Sequence, residues 1–285
     1  MAKYSTEQMF GLRKCVVFYF SEYINTEKIK NVIRSFVSFT GTKFTYKRAQ
    51  DEYRLRLVRG GWEKVFDNTF KKQDFDRANV LTLRDGTKDI LQTANIYMNL
   101  WNPPCPPSIL IMHCSLDTEW SVLLNYILEV NNILNLRFVS AGYDVVSNDF
   151  LYPGSAAYSL KYLLSLKYAN SDWTAWMGTE FKLAKKPGVC TPNMIQFIEQ
   201  AAWEHVDQEQ IEKMKENGTA HIKRLENGVL LDILGDDDDA PETEPEVLIY
   251  RLRELYKAVK PVLLECDKPM FLKKDEWEIW QKRFE

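Results

Sequence analysis

The sequence predicts an α+β fold, a mixed or antiparallel sheet flanked by amphipathic helices, and three observations carry that prediction. Two dense apolar runs, Lys14 to Phe20 (KCVVFYF) and Ser108 to Leu116 (SILIMHCSL), have the β-branched and aromatic content of strands buried on both faces. Each is followed by an apolar stripe of helical period. Asn227-Gly228 stands between two apolar-containing runs and is the best hairpin signal in the chain. The strand-helix-strand order recurs as a weak internal echo, which leaves two similar lobes as an option. They would be residues 1–102 and 108–265, joined at the four prolines of Asn102 to Pro107 and followed by a tail at 266–285.

Taken in order, the first strand leads to a helix that Asn25 or Thr26 can cap. Ile29, Val32, Ile33, Phe36 and Val37 form its buried stripe, and Gly41 stops it. Lys43 to Ala49 and Tyr53 to Val58 read as paired strands, the second alternating Tyr53, Leu55 and Leu57 against Arg54 and Arg56, so that one face is wet and basic. Gly60-Gly61 opens a helix carrying Trp62, Val65, Phe66 and Phe70, and strands follow at Asn79 to Leu83 and Ala94 to Leu100. Beyond the prolines, the Ser108 strand is followed by a helix with Trp120, Leu123, Leu124, Ile127 and Leu128 on one side.

The stretch from Leu136 to Gly178 organises the rest. Phe138, Val139, Val145 and Val146 flank Ser140-Ala141-Gly142, which predicts a strand whose glycine lets another backbone or a large side chain come close. Tyr152-Pro153-Gly154 makes a turn, Leu160, Leu163 and Leu164 follow at helical spacing, and Trp173 and Trp176 come after a polar break. Thr191-Pro192 reads as a cap and an N1 proline opening a helix that buries Ile195, Ile198 and Ala202. After the hairpin, a long helix carries Leu248, Leu252, Leu255, Tyr256, Val259 and Leu263, weakened at Pro261, and the tail holds Trp277 and Trp280.

Composition bounds the function. With 45% hydrophobic and 13% aromatic residues in 285, the chain can bury one substantial core or two modest ones, and disorder is excluded except locally. A formal net charge of -3 gives no overall basic field that would draw nucleic acid as a direct partner. That average conceals a concentration of acid: residues 236–246 hold four aspartates and three glutamates and no base. Five scattered cysteines, an odd number with no C-x-x-C, point to reduced thiols in the cytoplasm. The N-terminal MAKYSTEQMFGLRK has no signal-cleavage pattern, and no stretch approaches eighteen apolar residues, so no membrane span is expected.

The F-x-x-x-G-Y strand at Phe138 to Tyr143, the Y-P-G turn at Tyr152 and the W-x-x-W-x-G segment at Trp173 carry a family resemblance. So do the later N-G strand and a final helix ending in P-V-L-L. Together they resemble the TsiV-type immunity proteins of bacterial type VI secretion systems, along most of the chain. The resemblance implies a cytoplasmic antidote that binds a cognate toxin, often a nuclease, and blocks it by occluding its active or DNA-binding site.

The residues themselves offer two partner-binding candidates. Asp236, Asp237, Asp238 and Asp239, with Glu242, make an anionic loop (235–246) that would imitate phosphate for a toxin with a basic cleft, gaining association rate more than affinity. Its competing reading is a solvated linker, and part of it is helix initiation, Thr243 to Glu246 fitting a T-x-x-E capping box. Asp144, Asp149 and Asp172, set among Trp173, Trp176, Tyr143, Tyr152 and Tyr158, would suit a partner rich in lysine and arginine, although most such aromatics belong to a core.

Catalytic and metal signatures are weak. Asp172 with Glu180-Phe181-Lys182 has the residue order of a metal-dependent nuclease or hydrolase, but the match is short and no basic channel accompanies it. Zinc is not expected, because His113 and Cys114 are strand neighbours that point to opposite faces, while His205 and His221 stand alone. G-x-S-x-G, G-x-G-x-x-G and G-x-x-x-x-G-K are all absent. The expectation is therefore a binding protein without cofactor, metal or catalytic residues, acting on a protein effector, with a non-catalytic scaffold as a further alternative.

Overall fold

The computed structural model describes residues 10–49, 55–71, 75, 79–85, 94–104, 106–147, 179–234, 245–265 and 274–285. Ten strands form one sheet in the order β3-β2-β4-β5-β6-β1-β7-β8-β10-β9. They are β1 (Phe10–Phe20), β2 (Phe44–Ala49), β3 (Arg56–Leu57), β4 (Asn79–Asp85), β5 (Asn95–Leu100), β6 (Ser108–Cys114), β7 (Leu136–Ser147), β8 (Ile195–Glu199), β9 (His221–Leu225) and β10 (Gly228–Asp232). Every neighbouring pair is antiparallel. The helices are α1 (Thr26–Thr40), α2 (Trp62–Phe70), α3 (Trp120–Ile133), α4 (Thr179–Lys185), α5 (Gln200–Trp203), α6 (Gln208–Glu216), α7 (Pro245–Val259) and α8 (Lys274–Gln281). This is the α+β architecture that the hydrophobic periods imply.

The two halves of the sequence echo meet at the centre. β1 and β6 pair from Lys14↔Cys114 to Phe20↔Ser108, and the helices that follow them, α1 and α3, pack on each other. β1 is also paired along its whole length with β7, so a strand from the start of the chain lies between two from its middle. Alternation divides β1 into two buried rows. On one, Phe18 meets Tyr126 of α3 edge-on at 5.7 Å, and the Lys14 ammonium sits 4.7 Å above the Trp120 ring while donating to Thr118 O at 2.8 Å. Tyr126 in turn donates to Val32 O of α1 at 3.0 Å, which locks the helix pair to the sheet. The other row holds Arg13, Cys15, Val17 and Tyr19.

Local chemistry accounts for the element ends. Asn25 Oδ1 accepts from the backbone N–H groups of Glu27 and Lys28 at 3.0 and 3.2 Å, satisfying two donors that the first turn of α1 leaves open. Gly41 closes the helix at φ 64°, a left-handed conformation that glycine reaches without steric penalty. α7 ends at Val259 and tightens into a 3-10 turn over Lys260–Val262, where Pro261 has no N–H to continue the helix. Its first turn carries Glu246, whereas Thr243 and Glu244 of the expected capping box lie outside the described residues.

Three sequence expectations change. The segment after Thr191-Pro192 is strand rather than helix at Ile195 and Ile198: residues 191–198 are all buried, which a helix with one apolar stripe would not allow. β8 is instead paired on both sides, with β7 and with β10. The hairpin forms, but its two loop residues are Glu226 and Asn227, since Gly228 already pairs with Leu225. Glycine there serves packing, because a Cβ would lie 2.3 Å from Ile198 O and 2.7 Å from Phe197 Cζ. The basic strand shrinks to the edge pair Arg56–Leu57, both exposed, so that Leu57 has no buried face to point into; Tyr53 and Arg54 lie outside the described residues.

At the C-terminus, Trp277 and Trp280 stack at 5.1 Å with an interplanar angle of 11°, both buried. Arg283 lies 3.7 Å over the Trp280 ring and donates to Thr191 Oγ1 at 3.0 Å, which ties α8 to the segment leading into β8.

Candidate functional site

The densest constellation of chemically versatile side chains among the described residues is at the sheet centre, on the row of β1 that faces away from α1 and α3. β5, β6, β1 and β7 run side by side there, with Asn95 opposite His113, His113 opposite Cys15, and Arg13 opposite Asp144. Cross-strand neighbours on one face come within side-chain reach of each other. The donor atoms of Cys15, His113 and Asp144 all lie within 4.8 Å of one another, and the three residues are 0%, 3% and 2% exposed.

His113 is held at both ring nitrogens: Nδ1 lies 2.8 Å from Asn95 Oδ1 and Nε2 2.6 Å from Asp144 Oδ2. The second carboxylate oxygen, Asp144 Oδ1, is buried without a hydrogen-bond partner. A Cys-His-Asp set is the vocabulary of nucleophilic catalysis, in which the imidazole takes the thiol proton while the carboxylate orients the ring. Here both ring nitrogens are engaged by Asn95 and Asp144, and all three side chains are closed to solvent.

The next residues along β7 complete the polar patch. Gly142 alternates with Ser140 and Asp144 on this face, and the missing Cβ makes room for Asn193, whose Oδ1 lies 1.8 Å from where that Cβ would stand. Asn193 Nδ2 donates to Ser140 Oγ at 2.9 Å, and its Oδ1 accepts from Met194 N at 2.9 Å. The close approach expected at this glycine is therefore made by an amide side chain. On the opposite face, Cys114 points its thiol at Lys14 O, 3.7 Å away, and burial pushes that thiol up to about 11.

Of the partner-binding residues expected from the sequence, Asp144 is the one described, and it is interior: its carboxylate engages His113 and offers nothing to a partner surface. Asp149, Asp172, Trp173, Trp176, Asp236, Asp237, Asp238, Asp239 and Glu242 lie outside the described residues. Lys182 stands on α4, while Asp172, its supposed companion, is not described. His113 and Cys114 do point to opposite faces as expected, yet Cys15 supplies a thiol to the His113 face from the neighbouring strand. Sequence reasoning set His113 aside as a ligand and did not join it to Cys15, Asn95 or Asp144, because it searched along the chain and not across strands. The available signal was polar side chains such as His113 and Asp144 interrupting strands that are otherwise apolar around them.

Leu234, the last described residue before the acidic segment, is held at both its backbone groups. Leu234 O accepts from Arg251 Nη1 of α7, and Leu234 N donates to Asp232 Oδ1 at 2.8 Å. Leu234 also lines a groove of about 480 Å³ between α3 and the β9–β10 hairpin, with Leu124, Leu128, Ile222 and Lys223 on its walls. No helix among the described residues is long and apolar enough to cross a membrane.

No protein-family model matches the sequence, and no curated protein matches it at a significant level. Among solved structures, the chain is similar to a Pseudomonas aeruginosa T6SS protein, PA0821, with a TM-score of 0.71. Identity is 14%, and the match covers 97% of this chain and 84% of that one. At that identity the likeness is one of fold, and it spans essentially the whole polypeptide.

Proposed function

We propose that this chain is an immunity protein of a type VI secretion system, which binds a cognate effector and blocks it without performing chemistry itself. The observation that carries this reading is the fold shared along 97% of the chain with a T6SS protein. It accords with the resemblance of the Phe138–Tyr143 and Trp173–Gly178 motifs to TsiV-type immunity proteins. The burial and double engagement of His113 support binding over turnover.

The finer proposal concerns the target. A stretch with seven acids and no base between Leu234 and the body of α7 favours an effector with a basic cleft, and a nuclease has one because it must hold phosphates. The antidote would occlude that cleft from within the cytoplasm, with no nucleic acid of its own. The decisive experiment is co-expression with the product of the adjoining gene. Growth should be restored and the two proteins should co-purify; cells that die equally with and without this chain would end the proposal.

A further inference from the structure

The inference the molecule carries furthest concerns the interior cluster. Asn95 Oδ1 accepts from Nδ1 in the tautomer that carries its hydrogen there, and in that tautomer the lone pair of Nε2 is turned toward Asp144 Oδ2. Two lone-pair donors 2.6 Å apart repel unless positive charge lies between or beside them; the buried Arg13 guanidinium, cross-strand from Asp144, supplies some of it, and what lies between them is a proton or a metal ion. Three further features favour the metal. Cys15 brings a sulfur donor within 4.8 Å, and Asp144 Oδ1 is a second, unpartnered carboxylate oxygen at the same place. Asn95 has the outer-shell position that commonly orients a metal-ligating imidazole by accepting its other N–H.

We propose that Cys15, His113 and Asp144 form a binding site for one borderline-soft divalent ion of the Zn²⁺ class, which joins β6, β1 and β7 from inside the sheet. Sulfur, imidazole and carboxylate donors in one set select Zn²⁺ over hard ions such as Mg²⁺ or Ca²⁺, which prefer all-oxygen cages. Bond lengths of about 2.0–2.3 Å place tetrahedral donor atoms roughly 3.3–3.7 Å apart, so spacings that run from 2.6 Å to within 4.8 Å need adjustment of the order of 1 Å. On binding, the thiol proton and any proton shared by His113 and Asp144 leave for solvent. A thiolate and a carboxylate then match the two positive charges of the ion, and the buried Arg13 guanidinium cross-strand from Asp144 remains as a further positive charge beside the site. Asp144 can fill the fourth position by binding through both oxygens.

The test is made on the full chain, expressed in zinc-supplemented medium and purified without chelator. Elemental analysis should give about one zinc per chain, and zinc-edge X-ray absorption should show one sulfur and one imidazole ligand. After stripping in denaturant and refolding with Co²⁺, a thiolate-to-cobalt charge-transfer band should appear. It should vanish in Cys15→Ser and His113→Gln and persist in Cys114→Ser. Metal at background in the wild-type chain together with no cobalt band would overturn the proposal and leave the His113–Asp144 pair holding a proton. A band that survives Cys15→Ser would overturn it equally. Should the variants fail to fold, the sulfur count at the zinc edge of the wild-type protein still decides. Neither outcome depends on whether the chain neutralises an effector.

Discussion

Replacing Gly142 by alanine is a sharp test of how the sheet centre is built. The new Cβ would stand 1.8 Å from Asn193 Oδ1, 2.6 Å from its Cγ and 2.8 Å from its Nδ2. A carbon and an oxygen need more than 3 Å, so a shift of a few tenths of an ångström cannot resolve the overlap, and the amide must leave or β7 must move. If Asn193 leaves, the bonds to Ser140 Oγ and from Met194 N are lost at a site only 1% exposed. Each buried partner left unsatisfied costs about 1–3 kcal/mol, so Gly142→Ala should destabilise the fold by about 2–6 kcal/mol.

A double-mutant cycle separates this cause from a general intolerance of the strand. Asn193→Ala removes the obstructing atoms, so Gly142→Ala in that background should cost less than about 1 kcal/mol, since alanine in a strand carries no large intrinsic penalty. The coupling read from urea denaturation, with the slope unchanged, should be at least about 2 kcal/mol. If Gly142→Ala costs the same with and without the Asn193 side chain, the close approach is not what this glycine serves, and the argument fails.

Three other outcomes follow from the same structure. Exchanging Asp236 to Asp239 for asparagine should slow association with the effector at low salt by tenfold or more and flatten its salt dependence, with a smaller change in dissociation rate; stopped-flow binding that shows an unchanged on-rate rules the acidic run out. Arg137 Nε lies 2.7 Å from Glu199 Oε2 and relieves a carboxyl that burial raises above its usual range. Arg137→Met should lose about 1–3 kcal/mol, less than for a fully buried pair because the side chains are 24% and 16% exposed. A carboxyl raised in the folded state costs stability once pH exceeds its unfolded value, so the deficit of the variant should shrink as pH falls through the carboxylate range, and a pH-independent deficit would contradict the pairing. Cys114, held near 11 by burial, should resist iodoacetamide at pH 8 in the native chain and react freely in urea, as peptide mapping would show; equal labelling in both states would place the thiol outside the core.

What the sequence discloses and what it hides divides along a physical line. α1 is legible because its information is local: the Asn25 cap, the stripe Ile29, Val32, Ile33, Phe36 and the αL glycine all lie within a few turns. β1, β6 and the glycine of β7 are legible for a related reason, since burial on both faces demands a continuous apolar run and a close approach demands a missing Cβ. β8 is not legible, because Thr-Pro followed by apolar residues three apart satisfies a helical pattern equally well, and what decides is a pair of flanking strands, β7 from before the Trp173 segment and β10 from beyond the next two helices. The Cys15-His113-Asp144 set is hidden by the same rule carried further. Its members are separated by about a hundred and by about thirty residues, and they meet only through the register Cys15↔His113 and Arg13↔Asp144. Register is a property of the assembled sheet, fixed by all its faces at once, so a site built across strands leaves in the sequence only isolated polar residues inside apolar runs. In a chain with no motif of contiguous catalytic residues, those interruptions are where chemistry should be sought first.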